Sequence, residues 1–299
     1  MTVSSPHLLI FGLGYAGRAI AKEAVAAGWQ VSATYRSEAR PEPGVTLLPF
    51  AQAQPAIAQA SHILTSAAPD EQGDPVLARY GTALGAAPAI WLGYLSTTGI
   101  YGDAQGGWVD ETTPPNPGSA RARRRIAAEQ GWADLGKPLA IFRLAGIYGP
   151  GRSMLDDLRA GQGRHVIKPG HMFGRIHRED IGLGVAAAIR QGATGIFNFA
   201  DDEPAAPTDV VQEAARLLGI APPPPVPFEE AVKTMSPWRA ASGGEPQGAG
   251  RSHQIRPQPR LALPYLPRGP SRHPGRGARP RSALATPDLP AWKADGRRP

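Results

Sequence analysis

Apolar residues in the first 220 positions fall into short runs, separated by stretches in which they recur every three or four residues. The runs predict strands over 8–11, 30–35, 45–49, 62–66, 89–95, 139–143 and 195–199. The periodic stretches predict helices near 15–27, 75–86, 119–134, 179–191 and 208–218. Strand and helix in alternation imply an α/β protein with a Rossmann-type, doubly wound parallel sheet, which holds its ligand at the carboxyl ends of the strands. The run Pro222-Pro223-Pro224-Pro225 is expected to end regular structure.

The first strand runs directly into Phe11-Gly12-Leu13-Gly14-Tyr15-Ala16-Gly17, and a helical pattern follows at once. Glycines at this spacing between a strand and a helix form a dinucleotide-binding fingerprint. Gly12 would make the tight turn, Gly14 would let a pyrophosphate approach the backbone, and Gly17 would let helix and strand pack closely. The N–H groups of the first helical turn then face the phosphates, which makes Leu13, Tyr15 and Ala16 cofactor-contact candidates as well.

The second strand ends in Tyr35-Arg36-Ser37-Glu38. An NAD site usually carries an acid at this point for the ribose hydroxyls. Arg36 can instead neutralise a 2′-phosphate and Ser37 can donate to it, which favours NADP. NAD stays open, because Glu38 is near and Arg36 also reads as a solvated surface residue.

Charge separates the chain into two parts. Residues 240–299 hold ten arginines and one lysine against three acids, a surplus larger than the +7 of the whole chain. The preceding part is therefore close to neutral, and a nucleic-acid-binding face is not expected there. The same segment carries 11 prolines and only eight large apolar side chains, too few to offset the entropy of ordering it. The expected division is a nucleotide-binding domain over 1–235, with substrate-binding segments after residue 145, and a disordered tail over 236–299. That composition is also what GC-rich DNA encodes in a shifted frame, and resequencing the codons for 235–245 decides between the two origins.

The chain has no cysteine, which excludes disulfides, thiol catalysis and cysteine-based zinc sites. The first residues carry no basic signal-peptide region, and no apolar stretch approaches 18 residues, so no membrane partner is expected and cytoplasm is the default location. His165, His171 and His177 recur every six residues, a spacing that fits neither one helical face nor a common zinc pattern, and no metal is expected.

Two further stretches carry chemistry. Leu95-Ser96-Thr97-Thr98-Gly99-Ile100-Tyr101-Gly102-Asp103 follows the fifth strand, and Phe142-Arg143-Leu144-Ala145-Gly146-Ile147-Tyr148-Gly149-Pro150-Gly151-Arg152 follows the sixth. With the glycine loop and Phe173-Gly174-Arg175-Ile176-His177-Arg178-Glu179-Asp180-Ile181, they resemble, over about residues 5–235, the extended short-chain dehydrogenase/reductase family, the NAD-dependent epimerase/dehydratases. The resemblance implies an oxidoreductase or epimerase-like protein acting on a small carbonyl compound or a sugar nucleotide. It puts Ser66, Ala67, Ala68, Gly146 and Ile147 against the cofactor and gives Thr97 the role of holding the reacting oxygen.

The departure from the family lies in the helix after the fifth strand. Members carry Tyr-x-x-x-Lys there, with Glu four residues further on; counting back from Glu129, this chain has Arg121 and Arg125 in those places. A guanidinium cannot exchange a proton as a phenol does. The chain is in this respect similar to the atypical, YeeZ-like subgroup that lacks the usual set. Tyr101 is a candidate substitute acid or a packing residue, and Arg121, Arg123, Arg124 and Arg125 form either an anion grip or a solvated helix face. A non-catalytic NADP(H) sensor is the competing reading of the whole.

Overall fold

A computed structural model of the chain describes residues 5–172, 174–233 and 253–255. Seven of its strands form one parallel sheet: β1 (His7–Phe11), β2 (Gln30–Tyr35), β3 (Val45–Pro49), β4 (His62–Thr65), β5 (Trp91–Thr97), β7 (Leu139–Leu144) and β11 (Gly195–Phe199). A short β6 (Gly107–Val109) lies between β5 and β7 in the chain, and β8 (Gly146–Tyr148), β9 (His165–Ile167) and β10 (Arg175–His177) precede β11. The helices are α1 (Tyr15–Ala26), α2 (Gln54–Ile57), α3 (Pro75–Ala86), α4 (Ala120–Ala133), α5 (Met154–Arg159), α6 (Arg178–Gln191), α7 (Pro207–Leu218) and α8 (Phe228–Lys233).

The sheet order is β11-β7-β5-β4-β1-β2-β3. From β1 the chain winds outward through β2 and β3, then returns to the other side of β1 for β4, β5, β7 and β11. The winding direction reverses between β1 and β4, where Phe11 pairs with Thr65, and a ligand is held just beyond such a point.

Alternation along β1 explains the two-sided core. Leu8 and Ile10 face one side, packed with Ile20 and Ala24 of α1 and Ile181, Val185 and Ala188 of α6. Leu9 and Phe11 face the other, packed with Val76, Tyr80 and Leu84 of α3 and Ala128 and Trp132 of α4. Each fully buried Leu, Ile or Phe side chain stabilises such a core by about 1.5–3 kcal/mol. A strand covered on both faces must be apolar throughout, which is why it reads as a continuous run in the sequence.

The seven strands and five helices read from the pattern are present, with no end displaced by more than two residues; β4, for example, stops at Thr65 and β5 extends to Thr97. The expectation that regular structure ends at the proline run is overturned. β12 (Pro225–Pro227) pairs in parallel with β9, and α8 follows it. Proline is tolerated there because β12 lies at the edge of a two-stranded sheet, where the missing N–H need not meet a partner. The expected tail, 236–299, lies outside the described residues except for β13 (His253–Ile255), which pairs with β6 and buries Ile255 against Ile100, Tyr101 and Val109. The Phe173 position of the family-like motif is also outside them. No helix among the described residues is long and apolar enough to cross a membrane.

Candidate dinucleotide site

Past the end of β1, Gly12 has φ +88°, a conformation that costs a residue with a Cβ. Its N–H donates to Thr34 Oγ1 at 3.1 Å and its carbonyl accepts the Ser66 hydroxyl at 2.5 Å, so the turn is tied to the ends of β2 and β4. A Cβ on Gly17 would lie 2.7 Å from that carbonyl oxygen, whereas one on Gly14 would meet nothing within 4 Å. Two glycines are thus required by the protein's own backbone, and the third leaves open space. Gly14 caps α1 without a side chain, and the first turn carries no acid. The N–H groups there keep their pull on an anion.

A cavity of about 330 Å³ opens beside this loop. Leu13, Gly14, Arg36, Ser37, Ser66, Ala67 and Ala68 are in its wall, and Arg18, Glu38 and Arg40 complete the polar side. Arg36 is exposed and has no hydrogen-bond or ion-pair partner among the described residues. Glu38 is engaged by Arg40 at 3.1 Å, and Arg18 by Glu42 at 2.6 Å, with further bonds to the Arg40 and Pro41 carbonyls. The Tyr15 side chain is outside the wall and donates to the Pro150 carbonyl at 3.0 Å, and Ala16 packs in the core, so the expectation for both rests on their backbone N–H groups. Gly146 and Ile147 open β8, where Ile147 packs on the core and pairs with Ile176.

Thr97 ends β5. Its hydroxyl oxygen accepts the Gly99 N–H at 3.1 Å and retains its own proton to donate. Tyr101 is only 3 % exposed. Its hydroxyl donates to Asn198 Oδ1 at 2.9 Å and accepts from Arg143 Nη1 at 2.9 Å. Burial raises this phenol above its ordinary pKa, partly opposed by Arg143. Of the two readings of Tyr101, substitute acid and packing residue, its burial and its two hydrogen bonds favour the packing residue.

The arginine run divides. Arg121 and Arg123 are exposed, and Arg124 lies 3.6 Å from Glu71. Arg125 is 7 % exposed and turned into the core, donating to Tyr94 Oη at 3.1 Å and the Leu95 carbonyl at 2.9 Å. Its Nε is buried without a partner among the described residues. Neither alternative from the sequence covers all four residues: the helical period exposes some and buries Arg125 against β5.

The polar core under Thr97 was not foreseen. Glu129 accepts from Arg143 Nη2 at 2.8 Å and Nε at 3.2 Å and from the Ser96 hydroxyl, linking α4 to β7 and β5. A second cluster gathers where β8, β10 and the end of β11 meet. Tyr148 and Asp201 interact there, burial raising the pKa of both, and burial lowers Arg175 to about 10. One signal was available in the sequence: an arginine inside the apolar strand 139–144 needs a buried anion. His165 and His177 stand on strands and His171 between them, and no group of metal-type ligands is present among the described residues.

No family model matches the chain. A conserved protein of unknown function from Silicibacter pomeroyi DSS is 40 % identical, with a TM-score of 0.72 over 84 % of this chain and 89 % of that one. Protein YeeZ of Escherichia coli K12 is 35 % identical over 133 residues, 44 % of this chain and 47 % of that protein. The chain therefore spans about half the length of the curated relatives it matches. The fold is also that of the UDP-glucose 4-epimerase of Thermus thermophilus, solved in complex with NAD, at 21 % identity and a TM-score of 0.60 over 81 % of this chain and 96 % of that one. Glycine loop, sheet order and relatives agree: the chain belongs to one family with the Silicibacter pomeroyi protein, and its fold is that of the NAD-dependent epimerase/dehydratases.

Proposed function

We propose that the chain is an NADP(H)-dependent oxidoreductase, or a nucleotide-sugar epimerase or dehydratase, of the atypical type. The observation that carries the cofactor is the pairing of open space at Gly14 with a free guanidinium at Arg36 in one cavity wall. A 2′-phosphate beside Arg36 and Ser37 gains charge-assisted hydrogen bonds, while Glu38 faces Arg40 at 3.1 Å. Fold relatives solved with NAD support a dinucleotide here, and the phosphate-seeking arginine favours NADP.

The cofactor, when bound, supplies or accepts a hydride. The chain's own part is to hold the substrate. Thr97, with its hydroxyl proton uncommitted, orients a carbonyl or alcohol oxygen. Ser66, Ala67 and Ala68 allow close approach through small side chains. Gly146 and Ile147 are assigned to the cofactor as well. The substrate class is a carbonyl compound or sugar nucleotide, in line with the fold relatives.

A second reading has its own observation. Arg125 and Tyr101 are both withdrawn into the core, and Arg121 stands where the family has its phenol. A protein so built can bind NADP(H) and report its level to a partner without turnover. Hydride exchange from labelled NADPH to a panel of carbonyls and nucleotide sugars separates the two. Transfer supports the enzyme; tight binding without transfer supports the sensor.

A further inference from the structure

The glycine loop has a cationic neighbour outside the cavity wall. Tyr15, the first residue of α1, lies under two guanidiniums, with Arg178 Cζ 4.7 Å and Arg152 Cζ 5.8 Å from its ring centroid. Arg178 is engaged by Glu179 at 2.6 Å. Arg152 is exposed, and its side chain has no hydrogen-bond or ion-pair partner among the described residues.

The chain fixes the backbone that carries this cation. Gly149 and Arg152 exchange backbone hydrogen bonds at 3.2 and 2.9 Å, closing a tight turn around Pro150 and Gly151. The Tyr15 hydroxyl holds that turn through the Pro150 carbonyl at 3.0 Å. Gly149 has φ +150°, and a Cβ there would lie 2.7 Å from the Tyr15 hydroxyl oxygen. Glycine is thus required for the turn to approach Tyr15. The first turn of α1 offers Arg152 no carboxylate, since it carries no acid. A guanidinium held over a ring face without a hydrogen-bond partner has its N–H fork free, which suits it to two oxygens of one phosphate.

Building on the dinucleotide reading above, we propose that Arg152, seated on Tyr15, clamps a phosphate group brought against the first turn of α1. This makes it a second cationic contact of the site, separate from the Arg36 end. The phosphate has two sources: the pyrophosphate of the dinucleotide, or the phosphate of a nucleotide-bearing substrate.

Calorimetric titration of the full chain and its R152A and R152K variants distinguishes them. The probes are NADPH, adenosine 2′-monophosphate and, after loading with NADPH, UDP. Adenosine 2′-monophosphate lacks the pyrophosphate and binds all three proteins alike. If the cofactor supplies the phosphate, R152A loses about tenfold in NADPH affinity and R152K recovers part of it. If the substrate supplies it, NADPH binding is unchanged and UDP binding to the loaded R152A protein falls about tenfold. The proposal is overturned if R152A binds NADPH as the parent does and, once loaded, takes up UDP equally well, or if neither protein takes it up. It is also overturned if R152A loses affinity equally for all three probes, the mark of a purely structural role. Failure of the parent chain to bind NADPH removes the dinucleotide reading itself, a result distinct from these.

Discussion

Glu129 of α4 and Arg143 of β7 meet inside the protein at 2.8 Å, with side chains 9 % and 4 % exposed, directly beneath the end of β5. Ser96 donates to the same carboxylate and Tyr101 accepts from the same guanidinium. The pair therefore fixes the backbone on either side of Thr97.

Removing one member of a buried pair strands the other charge. Glu129→Gln and Arg143→Met should each destabilise the chain by about 3–5 kcal/mol. The double variant, with no stranded charge, should cost clearly less than the sum of the two. Urea denaturation of the four proteins measures this, and additive losses would show that the two side chains do not act as a pair.

The glycines of the loop should separate folding from binding. G17A forces a methyl to 2.7 Å from the Gly12 carbonyl oxygen and should cost about 1–3 kcal/mol of stability. G14A meets no protein atom within 4 Å, so it should melt like the parent while losing NADPH affinity. Thermal melts and titrations of both variants test the contrast, and a G14A protein with full affinity would count against pyrophosphate contact at that position.

Restoring the family pair tests what limits turnover. Arg121→Tyr with Arg125→Lys places a phenol and an ammonium one helical turn apart, where a general acid is worth about 10²- to 10⁴-fold. Hydride transfer to an accepted carbonyl should rise in the double variant and stay low in Arg121→Phe with Arg125→Lys. Equal rates in both would place the limitation elsewhere.

Acid should weaken the fold through two histidines at the amino ends of the strands. His7, bonded to Ser32 at 2.9 Å, and His62, packed between Trp29 and Trp91, both have pKa values lowered from 6.5 by burial. Above pH 6.5 both are neutral whether the chain is folded or not, and they carry no penalty. Below it the unfolded chain binds protons that the folded one resists, so stability falls as pH drops toward the folded-state values. The urea midpoint should be lower at about pH 5.5 than at about pH 7.5. His7→Gln should flatten that dependence, and an unchanged slope would rule His7 out as a source.

Long elements were legible because burial on both faces imposes apolar runs on β1, β4 and β5, and one-sided burial imposes the helical period on α1 and α4. Three-residue strands such as β8 and β10 leave no period to read, so the Tyr148–Asp201–Arg175 cluster they assemble stayed hidden. The turn of the glycine loop was legible at Gly12 and Gly17, since both answer to local backbone demands. The orientations of Tyr101 and Arg125 were not, because each is set by partners far along the chain: Asn198 and Arg143 for the tyrosine, Tyr94 for the arginine.

The most direct test of the central claim is calorimetric titration of the full chain with NADPH and with NADH under the same conditions. Binding of both at one site per chain, with NADPH tighter by about tenfold or more, is the predicted result, since one charge-assisted contact at Arg36 is worth that much. Equal affinities, or tighter binding of NADH, would contradict the assignment of Arg36 and Ser37 to a 2′-phosphate.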